Sequence, residues 1–306
     1  EGLVGLDGDL AGELAAVDRA VADLLAPVAT DLLTITPRGA RLLDDGAVPV
    51  APAGAGGEGA DVSVPGILMA QHAVLACLPG AGVDVRATAP TSVIGHSQGV
   101  LGVALLEAMA RPGEEGRRAV IGVHALARLI GAAAARATRR LDLGPAGRAT
   151  PMLSVRGVTR EVLDAVLEGV PGAERIALGV TNGRRAHTLS GRPADLERVV
   201  TALEAAAARS ARARKERRRG GAVLAPVTEY LATSVPFHTP LLEGAVDDVV
   251  AWARTAGLDE DLARDLAAAV LIDPVDWPEL VHRALEADPR PRLVLDLGPG
   301  TVLTRL

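Results

Sequence analysis

The stretch TSVIGHSQGVLGVALLEAMA (91–110) sets a serine between two glycines, where an apolar run changes from strand-like to helical spacing. G-x-S-x-G in that setting describes a nucleophile elbow, a sharp strand-to-helix turn that lifts a hydroxyl clear of the chain. So tight a turn leaves Gly95 and Gly99 no room for a Cβ. It aims the Ser97 hydroxyl and the Gln98 backbone N–H at one point beside a helix N-terminus, where the N–H serves as an oxyanion donor. The other reading is an ordinary turn serine, because glycine and serine are common in turns.

A serine nucleophile needs a base, and the chain has six histidines. His96 adjoins the serine, but consecutive side chains diverge. His72, His124 and His282 fall in helical patterns that suit a core or surface histidine, and His187 opens a strand. His238, in SVPFHTPLL, stands on an irregular, Pro-flanked segment. Loop residues on a rigid scaffold are where catalytic groups gather. Its alternative is a loop histidine capping TPLLEGAVDD, and on pattern alone the two stand level.

The elements that must hold these residues alternate. Residues 9–33 are helical, 48–66 a Gly/Pro/Ala-rich loop, 67–78 a buried helix, and TSVIG a short strand. Helices follow over 98–110 and about 117–139, the helix–strand alternation that a parallel α/β sheet requires. Then the order changes. PMLSV, TREVLDAVLEG, ERIALGVTN, AHTLSG, PADLERVVTALEAAAA and VLAPVTEYLA read β-α-β-β-α-β, a ferredoxin-like unit. Three more helices and a strand, PRLVLDLG, return to the α/β pattern. The fold class is therefore α/β: a hydrolase-like parallel-sheet large subdomain (1–148 and 233–306) with an inserted ferredoxin-like small subdomain (149–232).

Composition narrows the function. Apolar residues make up 49% of 306 with four aromatics, so Ala, Leu and Val must build the core. A net charge of −6 gives no case for nucleic acid. Cys77 is the only cysteine, which excludes intramolecular disulfides and thiolate zinc sites, and a reducing, cytoplasmic compartment fits. No apolar run reaches the roughly 18 residues of a bilayer span, so no membrane partner is expected. A serine–histidine mechanism calls for no metal. The chain opens at Glu1 and ends at TVLTRL, which reads as a segment of a longer polypeptide.

GHSQG, VTNGRRAHTLSG, VPFHTPLL and LVLDLGPGTVLTRL, in this order and spacing, resemble the acyl-carrier-protein acyltransferases. These include malonyl-CoA:ACP transacylase and the acyltransferase domains of fatty acid and polyketide synthases. The Gln in GHSQG looks most like the acetyl (starter) transferase domain of a bacterial type I fatty acid synthase. Malonyl-type members more often have Leu there. The resemblance implies Ser97 as acylated nucleophile and His238 as general base, a Ser–His dyad oriented by backbone carbonyls near the 298–300 loop. Asp296 receives no triad role. It further implies that Gln71, His96 and Asn182 line the site, although Gln71 and Asn182 could equally be buried amides. The substrates it implies are acyl-CoA and the phosphopantetheine of an acyl carrier protein, with no permanently bound cofactor. The partners it implies are the carrier protein and neighbouring synthase domains in a homo-oligomeric parent assembly.

Malonyl-specific relatives hold the substrate carboxylate with an arginine. RLIGAAAA puts Ile130 in its place, and an alkyl chain cannot form a bidentate carboxylate pair, so an uncharged acyl group such as acetyl is expected. Leu126 is the other apolar candidate. Arg128 swinging inward would restore malonyl. The family's opening Gly-Gln-Gly loop, which supplies a second oxyanion donor, has no match in EGLVGLDGDLAG and is expected upstream of Glu1. Such a donor is worth about 100- to 1,000-fold in rate. The basic run ARARKERRRGG (211–221) reads as a solvated loop or helix end ahead of a contact for CoA phosphates or an acidic carrier. Competing functions are a malonyl or palmitoyl transferase domain, a free α/β-hydrolase esterase, and a catalytically silent docking module.

Overall fold

The computed structural model describes residues 8–36, 39, 41–42, 59–83, 92–143, 149–217, 224–291 and 294–298. Its elements run α1 (Gly8–Leu24), α2 (Ala29–Leu33), α3 (Ala60–Cys77), α4 (Gly99–Ala110) and α5 (Gly113–Leu141). Then come β1 (Met152–Arg156), α6 (Arg160–Leu167), β2 (Ala177–Gly183), β3 (Ala186–Ser190), α7 (Pro193–Arg217) and β4 (Val227–Tyr230). The remainder is α8 (Glu243–Thr255), α9 (Glu260–Leu271), β5 (Val275–Asp276) and α10 (Trp277–Leu285). The mixed α/β class expected from the sequence holds.

Helix α5 is the axis of the larger part. Every residue from Val123 to Ala134 is buried, as a helix must be when neighbours surround it. Those neighbours are α1, α3, α4, α8 and α9. Acidic Glu114 and Glu115 in its first turn and basic Arg139 and Arg140 in its last complement the helix dipole. The expectation that nothing reaches bilayer-spanning length is corrected here. Ala60–Ala81 and Gly113–Leu141 are long and apolar enough by length and composition. Half and 72% of their apolar windows, respectively, are buried inside the protein, which accounts for the apolar character.

Helix α3 also begins earlier than expected. The Gly/Pro-rich stretch read as a loop over 48–66 turns helical at Ala60 and carries Pro65 in its second turn. Proline there forfeits a backbone bond, but Val64, Pro65 and Leu68 are all buried, and that burial outweighs the local penalty. Residues 48–58 lie outside the described residues.

The sheet order is β4-β1-β3-β2-β5. The first four strands are antiparallel and carry α6 and α7 between them, the ferredoxin-like arrangement. Leu153, Val155 and Leu189 pack beneath Leu163, Leu196, Val199 and Leu203 of those helices. By strand alternation Thr188 and Ser190 then face the other way. β5 adds to the far edge, parallel to β2, with Val275 opposite Val180 and Asp276 opposite Thr181. Helix α7 takes up residues 211–217 of the basic run; the rest of the run, 218–221, lies outside the described residues.

Two expected strands show no pairing in the part of the chain described. Residues 92–95, within TSVIG, and 294–297, within PRLVLDLG, carry no ladder pairing among the described residues. The segments next to them, 84–91 and 299–306, lie outside that set.

Candidate active site

Ser97 sits at the turn into α4 with φ +54°, a left-handed backbone that costs a serine on the order of 1–3 kcal/mol. The turn is stitched by Gly99 N–H to His96 O (2.9 Å) and Val100 N–H to Ser97 O (3.1 Å). Gly95 is required: a Cβ there would collide with the backbone of Gly99 and Val100. Gly99 is not, because a Cβ there meets nothing within 4 Å, which corrects the expectation that both glycines are steric necessities. Its position at the first turn of α4, facing open space, removes the constraint. The Gln98 backbone N–H has no hydrogen-bond partner among the described residues, so it is free at the elbow.

His238 arrives from the segment ahead of α8, also left-handed at φ +59°, and only 2% of it is exposed. Its Nε2 accepts from the Ser97 hydroxyl at 2.7 Å. Its Nδ1–H donates to the Asp273 carbonyl at 2.7 Å, which fixes the tautomer and leaves the Nε2 lone pair on the serine. Sequence reasoning placed the orienting carbonyl near 298–300; it comes instead from the end of α9, where Leu271 O also accepts from Thr239 N–H (3.2 Å). A carbonyl carries no residue-type signal, so nothing in the sequence marked Asp273. Asp296 accepts from Gly298 N–H within its own turn. Thr239, not His238, caps the 3₁₀ turn Pro240–Leu242 that leads into α8, accepting from Leu241 N–H.

Burial is the main force on the His238 ring and lowers its pKa to about 4, opposed by the Asp273 carbonyl and aided by nearby His96. The imidazole is therefore neutral, and able to act as a base, at ordinary pH. No acid takes part in the hydrogen-bonded pair.

The sheet contributes at its two irregularities. The β2–β3 register shifts at Gly179 and again at Asn182. Bulges re-aim side chains, and these two serve the site. Asn182 Oδ1 accepts from His96 Nε2 at 2.8 Å, while its amide reaches toward Thr188 Oγ1. The asparagine thus bonds His96, not the base. His96 was expected to bind substrate, but its Nε2 is already taken by the protein. The ring of His96 meets Trp277 edge-on, at 5.2 Å between centroids and nearly perpendicular, a neighbour that no motif had marked.

The remaining expected residues lie deeper. Gln71, 8% exposed, packs its amide over Gly102 on α4, and both its Oε1 and that of Gln98 are buried without a hydrogen-bond donor among the described residues. Ile130 is fully buried in the core and Leu126 nearly so, the latter beside Leu258 and Leu262. Arg128 is buried too, and bonds Asp18 of α1 at 2.5 Å. His72 and His124 form a buried pair at 3.0 Å, His187 is buried on the helix side of the sheet, and His282 is exposed. No cluster of three or more metal-binding side chains occurs among the described residues.

Comparison with known proteins gives the same picture. Residues 151–230 match the family described as the fatty acid synthase central AT domain. The solved malonyl CoA-acyl carrier protein transacylase of Clostridium perfringens superposes with a TM-score of 0.59 at 18% identity, over 96% of this chain and 81% of that one. The chain has the acyltransferase fold. A second example of this fold is the malonyl-transacylase solved with its type II polyketide synthase acyl-carrier protein, with a TM-score of 0.59, 20% identity, and coverage of 96% and 86%. In sequence, the fatty acid synthase beta subunit aflB of Emericella nidulans is 29% identical over 178 residues. That alignment spans half of this acyltransferase-like chain and 8% of the relative's length. The resemblance to the acyltransferases therefore holds at the level of the family, without its acetyl (starter) subtype.

Proposed function

We propose that this chain is an acyltransferase domain of a fatty acid synthase that moves a short, uncharged acyl group, acetyl first, from CoA to an acyl carrier protein. The observation that carries the reading is the 2.7 Å bond between Ser97 Oγ and His238 Nε2, with Nδ1–H committed to the Asp273 carbonyl. His238 takes the serine proton as Oγ attacks the thioester carbonyl. The oxyanion develops beside the free Gln98 N–H at the start of α4. The carbon–sulfur bond then breaks, the proton passes to the leaving CoA thiolate, and Ser97 holds the acyl ester. The pantetheine thiol of the carrier protein repeats the cycle in reverse, giving up its proton to His238. A dyad suffices because the third member of a triad mainly fixes tautomer and orientation, and a carbonyl does that here.

Two features support an uncharged acyl group. Ile130 stands where a carboxylate-binding arginine is expected from the resemblance, and Arg128 is bound to Asp18. A second reading, malonyl transfer, draws on the names of the structural relatives. It needs a cation for the malonyl carboxylate. The subdomain division at 149–232 belongs to this proposal, as do the carrier protein, the CoA substrate and the oligomeric synthase.

Incubation with acetyl-CoA or malonyl-CoA, followed by a carrier protein bearing the pantetheine thiol, tests the reading. Acetylated carrier protein is the expected product. Free acid without carrier loading would make the protein a thioesterase instead.

A further inference from the structure

The two groups that must meet, Ser97 Oγ and His238 Nε2, both hang from strained, left-handed backbone. Such backbone persists only where its surroundings over-determine it. For His238 the surroundings are plain: a bulge at Gly179, the Asp273 carbonyl and the Thr239–Leu271 bond. For Ser97 the backbone hydrogen bonds of the turn are local; apart from the hydroxyl's own bond to His238, the long-range tie among the described residues is made by its neighbour. His96 reaches 86 residues along the chain to Asn182, and Trp277 closes on the same ring from a different element. Asn182 follows directly on Thr181, whose strand partner is Asp276, and Trp277 follows directly on Asp276. Asp273, which orients the base, lies three residues before Asp276. The β2–β5 pairing therefore ties the serine's neighbour and the base to one short piece of structure.

We propose that His96 is a positioning residue whose ring, bonded to Asn182 and wedged by Trp277, holds the left-handed peptide of Ser97 so that its hydroxyl stays on His238. Resting on the acyl-serine chemistry proposed above, this reassigns His96 from the substrate to the scaffold. A residue acting this way affects the reactivity of Ser97 toward any electrophile and leaves substrate affinity alone. Asn182 and His96 form one unit, so removing either removes all of it.

The test combines the rate of Ser97 labelling by a fluorophosphonate with kcat and KM for acetyl-CoA, in His96→Ala, Asn182→Ala, the double variant and His96→Gln. Both alanine variants are expected to slow labelling and kcat by about 10- to 100-fold with KM nearly unchanged, as a misplacement of the order of an ångström does. The double variant should lose no more than either single one. His96→Gln should recover most of the rate, because a glutamine amide reaches the same point as the imidazole Nε2. Should His96→Ala not fold, Asn182→Ala carries the same expectation. A raised KM at constant kcat, additive losses, or labelling of His96→Ala at the wild-type rate would overturn the proposal. If wild-type Ser97 labels but takes neither acetyl nor malonyl from CoA, the acyltransferase reading fails while the labelling rates still decide the role of His96. A wild-type serine inert to the fluorophosphonate overturns both.

Discussion

Gly179 lies directly against His238: a Cβ on Gly179 would stand 2.9 Å from the His238 Cβ and 3.1 Å from its carbonyl oxygen. The base occupies space that the bulge in β2 leaves for it. The sheet, remote from the serine in sequence, thereby sets how near the imidazole can come.

Gly179→Ala should push His238 away from Ser97. Acylation is expected to fall about 10- to 100-fold, with a stability loss of about 1–3 kcal/mol from overpacking. Single-turnover acylation and a urea melt measure the two. A variant that acylates at the wild-type rate would mean that His238 tolerates displacement.

The pH dependence follows from the lowered pKa of His238, about 4 by burial. Protonation removes the Nε2 lone pair, so the acylation rate should be flat from about pH 5 to 8 and fall as pH drops through about 4. A half-maximal rate near the ordinary 6.5 would contradict the burial argument. Stability moves the same way. Between about 4 and 6.5 the unfolded chain binds the proton and the folded one does not, so stability rises with pH there and is lost on acidification. Buried His72, also lowered to about 4, adds to the slope. Urea midpoints measured from acid to neutral pH check the sign.

Arg128 should matter to folding and not to substrate choice. It and Asp18 are 6% and 1% exposed, so Asp18→Ala takes the carboxylate away from a buried cation and should destabilise the fold by about 3–5 kcal/mol. Arg128→Met should destabilise as well, yet leave the ratio of acetyl to malonyl uptake unchanged. Loss of malonyl uptake in that variant would place the guanidinium in the acyl site.

Much of this was readable from residue types. Ser97 stood out because a glycine-flanked serine between two periodicities describes a turn, and the ferredoxin-like order because periods of 2 and 3.6 alternate there. The 60–66 helix was hidden because glycine and proline signal locally while burial decides globally. Asp273 acts through a carbonyl, which every residue has. Asn182 was legible as a site residue but not as the partner of His96, because pairing across 86 residues is a tertiary fact. Gly179 did leave a trace: a glycine inside a strand pattern marks a bulge or a close approach, and here it marks both.

The central claim is that Ser97 carries an uncharged acyl group. Intact-protein mass after mixing with acetyl-CoA and, separately, malonyl-CoA tests it most directly, with Ser97→Ala as control. The account predicts an acetyl adduct on the wild type, none on Ser97→Ala, and little or no malonyl adduct. A malonyl adduct in preference to acetyl, or an adduct that survives in Ser97→Ala, would contradict it.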